Sequence, residues 1–126
     1  MVEFAAWLLA QIDADERVAD RALDVSSDLG HQATWSSYLA GDVVDEAVAH
    51  LETWSPDRVL ADCEAKRRIV DLHPVVGDNV CDTCVVGKPG YPLQPHSTPE
   101  RWPCGTLRAL ALCYSDRPGY ERHWRP

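Results

Sequence analysis

The chain has 126 residues, of which 45% are hydrophobic and 25% charged, with a net charge of −8. That length suits a single domain, residues 1–126, with a modest core. The acidic balance argues against a nucleic-acid-binding surface, because phosphate contacts need clustered Lys and Arg. No stretch approaches the roughly 20 apolar residues that cross a bilayer, and the N-terminus lacks the basic start of a signal peptide. We therefore expect a cytoplasmic protein without membrane contact.

The first predicted element is an amphipathic helix over residues 2–23. Its apolar positions recur at helical spacing and are Phe4, Leu8, Ile12, Ala19, Ala22 and Leu23. The Ser, Asp and Gly residues from Ser26 to Gly30 are typical of a loop, so the helix is expected to fade near Asp24.

Residues 31–54 fit two structures. Apolar residues after Gly41 have helical spacing, and Asp42 is a suitable N-cap. The alternative is a small β-hairpin near residues 32–48 that turns at Gly41-Asp42. The spacing favours the helix.

A clear helix follows over residues 56–72. Ser55 is a suitable N-cap and Pro56 suits the first helical position. The helix should stop before His73-Pro74, because proline disfavours helical geometry at the preceding residue. Cys63 falls on its apolar side and is expected to be a small buried hydrophobe.

The last elements are a helix over residues 105–114 and a tail over 115–126. Cys113 is expected to pack near the apolar side of this helix. The tail carries Tyr120 and Trp124, and a disordered tail seldom keeps two large aromatics, so we expect it to fold back on the helices.

Between these helices lies a loop, residues 73–104, that contains three of the five cysteines. It has no long apolar period, so it needs a cross-link other than a core. An odd cysteine count without an export signal favours metal ligands over disulfides. Three thiolates with one imidazole suit tetrahedral Zn²⁺. We predict a structural zinc site formed by His73, Cys81, Cys84 and Cys104.

The fourth ligand is the least determined. Cys81 and Cys84 form a Cys-x-x-Cys turn, and Cys104 opens the last helix, where backbone N–H groups stabilise a thiolate. His73 is favoured because it would tie the end of one helix to the start of the next. His96, Cys63 or a water are the alternatives.

Other interpretations of the thiols remain open. They are a Cys-x-x-Cys redox protein, an iron–sulfur cluster completed by Cys63 or Cys113, and free thiols in a disordered loop. No catalytic constellation stands out, which argues against an enzyme. A nucleic-acid-associated regulator would have to use Lys66, Arg67 and Arg68, a cluster more typical of a solvated helix face.

Several segments together resemble a known family. They are Glu64–His73 (EAKRRIVDLH), Pro103–Ala111 (PCGTLRALA), Tyr114–Tyr120 (YSDRPGY), Trp124–Pro126 (WRP) and Ser55–Leu60 (SPDRVL). The chain resembles a family of small uncharacterised proteins of actinomycetes and their phages, a domain of unknown function. The resemblance implies a His at the end of the third helix and a Pro-Cys opening the last, which supports His73 and Cys104 as ligands. It implies no activity, and Arg117, Gly119 and Cys113 depart from the family pattern.

The combined prediction is a mainly α, small helical domain with a zinc-stapled Cys/His loop. Its function is predicted to be non-enzymatic, as a protein–protein interaction or regulatory module. A phage or mobile-element origin would suit a host protein as the partner.

Overall fold

The computed structural model describes residues 2–28, 42–86 and 98–126. In these ranges the fold is mainly helical, as predicted, with a small three-stranded antiparallel sheet in the order β1-β2-β3. The elements are α1 Val2–Asp28, α2 Asp42–Thr53, α3 Pro56–Leu72, β1 Val75–Val76, β2 Val80–Val86, β3 Thr98–Arg101 and α4 Gly105–Ala111, with 3₁₀ turns at Leu112–Tyr114 and Arg122–Trp124. Among these helices, none combines the length and apolar character that a bilayer crossing requires.

The contacts divide the chain into two compact units. Unit 1 comprises residues 1–11 and 66–126, and unit 2 comprises residues 12–65. A single domain over residues 1–126 stays a prediction.

One helix end and the alternative hairpin need correction, whereas the helix favoured after Gly41 is confirmed. Helix α1 ends at Asp28 rather than near residue 23. The Ser and Asp residues in its last turn each lower helix stability by only a few tenths of a kcal/mol, whereas a proline, which this segment does not contain, would cost about 3 kcal/mol. The hairpin near residues 32–48 is wrong over 42–48, where α2 forms; its first part lies outside the described residues. Helical spacing of the apolar residues after Gly41 outweighs the turn signal of Gly41-Asp42.

Unit 2 buries a small apolar set contributed by its three helical segments. Its members are Ile12, Ala19, Val48 and Cys63. The Cys63 Sγ lies 3.8 Å from the Ile12 carbonyl oxygen, so Cys63 is confirmed as a small buried residue. Ser55 Oγ accepts the Arg58 N–H at 3.4 Å, and this N-cap begins α3 where the sequence predicts.

The core of unit 1 is aromatic and brings the tail back onto the first helix. Its buried members are Phe4, Leu8, Trp102, Leu107, Ala111, Tyr114 and Trp124, with Cys81 and Cys104. The Trp124 ring lies 5.0 Å from that of Phe4 and 5.1 Å from that of Trp7, centroid to centroid. Trp7 also donates its indole N–H to the Pro118 carbonyl at 2.9 Å. These contacts hold residues 115–126 against α1.

The prediction that Cys113 packs beside the apolar side of the last helix is wrong. Cys113 is exposed, and it lies in the 3₁₀ turn Leu112–Tyr114 that follows α4. Counted at about 100° per residue, Cys113 lies about 120° from Leu107 around the helix axis, whereas Tyr114 lies within about 20° of it. Helical spacing itself therefore places Cys113 away from the buried side.

Candidate metal centre

The segment predicted as a loop over residues 73–104 contains the sheet, which is a further correction. Val76 pairs with Val80 across a three-residue turn. Gly77 has φ +49° and Asn79 has φ +72°, values that glycine adopts freely and asparagine more readily than other side chains. Three-residue hairpin turns commonly end with such a left-handed residue. Gly77-Asp78-Asn79 therefore supplies the turn that starts β2.

Strand β2 carries Cys81 and Cys84 in an irregular stretch. Val80 pairs with Arg101 and Val85 pairs with Pro99. Between these two pairs, β2 therefore contains three more residues than β3. A bulge of this kind bends the strand and redirects its side chains. The Cys-x-x-Cys turn occupies this bulge, which allows both sulfurs to approach the same imidazole.

His73 follows the last residue of α3 and is fixed there by β2. Its backbone N–H donates to the Val70 carbonyl at 3.1 Å, and the Asp82 N–H donates to the Pro74 carbonyl at 3.1 Å. The Thr83 hydroxyl donates to the Leu72 carbonyl. Because Asp82 and Thr83 stand between the two cysteines, these bonds place the Cys-x-x-Cys turn beside His73.

Cys104 reaches the same point from the start of α4. The Trp102 backbone N–H donates to the Asn79 carbonyl, and its indole N–H donates to the His73 carbonyl, both at 3.0 Å. On the other side of Cys104, the Gly105 N–H donates to a Glu100 carboxylate oxygen at 2.6 Å. These bonds fix the chain on both sides of the thiol.

The four side chains converge on one point. His73 Nδ1 lies 3.5 Å from the Cys81 Sγ, 3.3 Å from the Cys84 Sγ and 3.6 Å from the Cys104 Sγ. All four ligand atoms lie within 4.8 Å of one another. A tetrahedral ion with Zn–S of about 2.3 Å and Zn–N of about 2.0–2.1 Å separates sulfur from nitrogen by about 3.5 Å. The geometry and the donor types therefore fit a divalent ion of zinc's size.

The pKa of the Cys104 thiol is determined mainly by burial. Burial, followed by the neighbouring thiols of Cys81 and Cys84, raises the pKa of Cys104 to about 12, although a hydrogen bond from the Leu107 backbone acts in the opposite direction. The expectation that the helix start stabilises a Cys104 thiolate is thus outweighed by burial. A bound metal ion reverses this balance, because a coordinating thiol loses its proton.

Among the described residues, the close group contains three cysteines and one histidine. Cys113 is exposed and Cys63 packs in unit 2 beside Ile12, and neither belongs to this group. The iron–sulfur alternative would need four cysteines. The other candidate ligand, His96, lies outside the described residues.

Some residues around the site were missed by the sequence analysis. The Thr106 hydroxyl lies 3.7 Å from the Cys84 Sγ, and Glu100 also pairs with Arg108 at 3.6 Å. No local motif signals these contacts, because β3 and α4 meet β2 only in the folded chain. Lys66 donates to the Tyr114 hydroxyl at 3.2 Å, so one member of the basic cluster has a partner within unit 1.

Comparisons with known proteins identify a family for this chain. A family described as a family of unknown function, DUF6221, matches residues 1–126. No curated protein and no solved structure matches the chain.

Proposed function

The chain belongs to the family of unknown function DUF6221, and from its His/Cys cluster we propose that it is a small zinc-binding protein with a structural zinc site. The ligands are His73, Cys81, Cys84 and Cys104. The observation that supports this most is the approach of three sulfurs to one imidazole nitrogen, at 3.3–3.6 Å.

The donor set favours zinc over harder ions. Thiolates and imidazole are soft or borderline ligands that suit Zn²⁺, whereas Mg²⁺ and Ca²⁺ prefer oxygen ligands. Four protein ligands complete a tetrahedron and leave no position for a reactive water, which is the arrangement of structural sites. Cys81 is 2% exposed and Cys104 0%, so two of the thiols are also shielded from solvent.

A structural site of this kind has a definite role in unit 1. It would join the end of α3, the bulge of β2 and the start of α4. The sheet itself is too small to be stable alone, since β1 has two residues and β3 has four. Zinc binding supplies folding free energy directly, so the ion would stabilise this small sheet.

The proposed biological role is a non-enzymatic protein–protein interaction or accessory module. It is supported by a closed ligand set, since four protein ligands leave no coordination position for a substrate or a reactive water. An actinomycete or phage origin, and with it a host protein as partner, stays a prediction.

Metal analysis of the untagged protein, purified without chelator, tests the proposal. Native mass spectrometry together with elemental analysis should give one zinc per chain. The variants Cys81→Ser and Cys104→Ser should lose most of it, because a hydroxyl is a poor zinc ligand compared with a thiolate.

Cys113→Ser is the matched control, because Cys113 is exposed and lies outside the cluster. It should retain one zinc per chain. A zinc content below about half an equivalent in the unaltered protein, or equal zinc in Cys104→Ser and Cys113→Ser, would contradict the proposal.

A further inference from the structure

A cavity of about 370 Å³ opens on unit 1. Its floor is aromatic, formed by Phe4, Trp102 and Trp124, which are 2%, 6% and 5% exposed. Its rim carries two carboxylates, those of Glu3 and Glu121. A cavity with an apolar floor and a few polar groups at its edge is the usual form of a binding site.

The rim is accessible and mainly acidic. Glu121 and His123 lie 3.0 Å apart, with 50% and 71% of their side chains exposed, so their contact is a weak surface pair that a stronger cation can replace. Glu3 is exposed as well. The net charge of the chain, −8, adds a favourable field for a cationic ligand.

We propose that this cavity binds an arginine side chain presented by a basic segment of a protein partner. The apolar stem of arginine would cover the aromatic floor while its charged end stays at the rim. The guanidinium at the rim can pair with a carboxylate through two parallel hydrogen bonds, a geometry that an ammonium group does not offer. The inference deepens the proposed function, on whose interaction role it rests, by naming the surface and the chemistry of the partner.

The cavity floor is connected to the proposed zinc ligands. Trp102 donates its indole N–H to the His73 carbonyl at 3.0 Å, and only Pro103, which also lines the cavity, separates it from Cys104. The position of Trp102 therefore depends on the same segment that holds Cys104. Trp102 thus joins the cavity to the residues His73 and Cys104.

The test uses three capped tripeptides, N-acetylated and C-amidated, with the sequences Gly-Arg-Gly, Gly-Lys-Gly and Gly-citrulline-Gly. Citrulline matches arginine in shape but has no charge. Titration of ¹⁵N-labelled full-length protein at pH 8 should shift the indole N–H resonances of Trp102 and Trp124. The exposed Trp54, outside the cavity, should not respond. For the arginine peptide we expect a Kd of about 1 mM, at least tenfold tighter than for citrulline.

Charge variants locate the binding. Glu121→Gln and Glu3→Gln should each weaken the arginine peptide about fivefold or more, without removing any part of the buried core. Glu52→Gln removes an equal charge from an exposed position of α2 and should change the Kd less than twofold. Absence of indole shifts at 20 mM peptide, equal affinity for citrulline or lysine, or equal effects of Glu121→Gln and Glu52→Gln would overturn the inference.

Zinc content measured on the same samples separates the two proposals. One zinc per chain without arginine binding would refute the cavity and leave the zinc site standing. Arginine binding by a protein that contains no zinc would support the cavity and refute the zinc site.

Discussion

Replacing Gly119 by Ala tests how the tail is held against the first helix. Gly119 has φ +87°, a value that side chains with a Cβ rarely adopt. A Cβ added there would lie 2.8 Å from the Trp7 Nε1 and 2.9 Å from its Cδ1. Trp7 has little room to retreat, because its indole N–H is bonded to the Pro118 carbonyl and its ring is 5.7 Å from that of Tyr120, centroid to centroid.

The size of the effect follows from two separate costs. A non-glycine residue at a sparsely populated positive φ costs about 1–3 kcal/mol. Moving the Trp7 ring away also loses its hydrogen bond to Pro118, which contributes about 0.5–1.5 kcal/mol. The Gly119→Ala variant should therefore lower the free energy of unfolding by about 2–4 kcal/mol.

Gly77→Ala provides the matched control. Gly77 also has a positive φ, +49°, but a Cβ added there would meet no heavy atom within 4 Å. Its cost should be limited to backbone strain of about 1–2 kcal/mol. The free energies of unfolding of the two variants are compared by urea titration, monitored by far-UV circular dichroism with zinc in slight excess. A loss in Gly119→Ala no larger than that in Gly77→Ala would refute the account of the Trp7 contact.

Two other changes have defined outcomes in the same urea assay. Trp124→Ala should lower the free energy of unfolding by about 3–5 kcal/mol, because it empties a buried aromatic site. Trp54→Ala is its control, as Trp54 is 48% exposed, and should cost about 1 kcal/mol through loss of its contact with Arg58; equal losses would contradict the assignment of Trp124 to the core. Glu100→Gln should cost about 1–2 kcal/mol, because it weakens a charge-assisted bond to the Gly105 N–H, and a loss below about 0.3 kcal/mol would show that this bond contributes little.

The sequence predicts the helices well where the determinants are local. Ser55-Pro56 begins α3 through an N-cap and a preset φ, and Pro74 prevents its extension, so both ends are encoded by neighbouring residues. The end of α1 was predicted too early, because Ser and Asp near position 26 are compatible with a loop and with a helix alike. The end of α1 would be predictable from the sequence only if a residue that strongly terminates helices, such as proline, followed it.

The sheet could not be predicted in the same way. Polar and apolar residues do not alternate strictly in Val80–Val86, because its two cysteines point toward the same His73 imidazole instead of following the period of a strand. Its partner Thr98–Arg101 is distant in the chain and contains Pro99, a residue that argues against a strand in the sequence and is tolerated here because β3 is an edge strand. The pairing therefore depends on long-range contacts, which no local pattern reveals.

The candidate ligands were accessible from sequence because metal chemistry restricts both residue type and spacing. A Cys-x-x-Cys turn places two sulfurs together in almost any context, and the His and Cys at neighbouring helix ends were the simplest completion. The surrounding contacts were not accessible. The bond from Trp102 to the His73 carbonyl joins residues far apart in sequence and has no spacing rule.

X-ray absorption at the zinc K-edge of the purified protein tests the central claim most directly. The account predicts one zinc per chain, coordinated by three sulfurs at about 2.3 Å and one nitrogen at about 2.0–2.1 Å. In Cys113→Ser this coordination should be unchanged, and in Cys104→Ser one sulfur should be missing. A first shell of oxygen and nitrogen only, or a protein that binds no zinc and whose Cys81 and Cys84 form a disulfide, would contradict it.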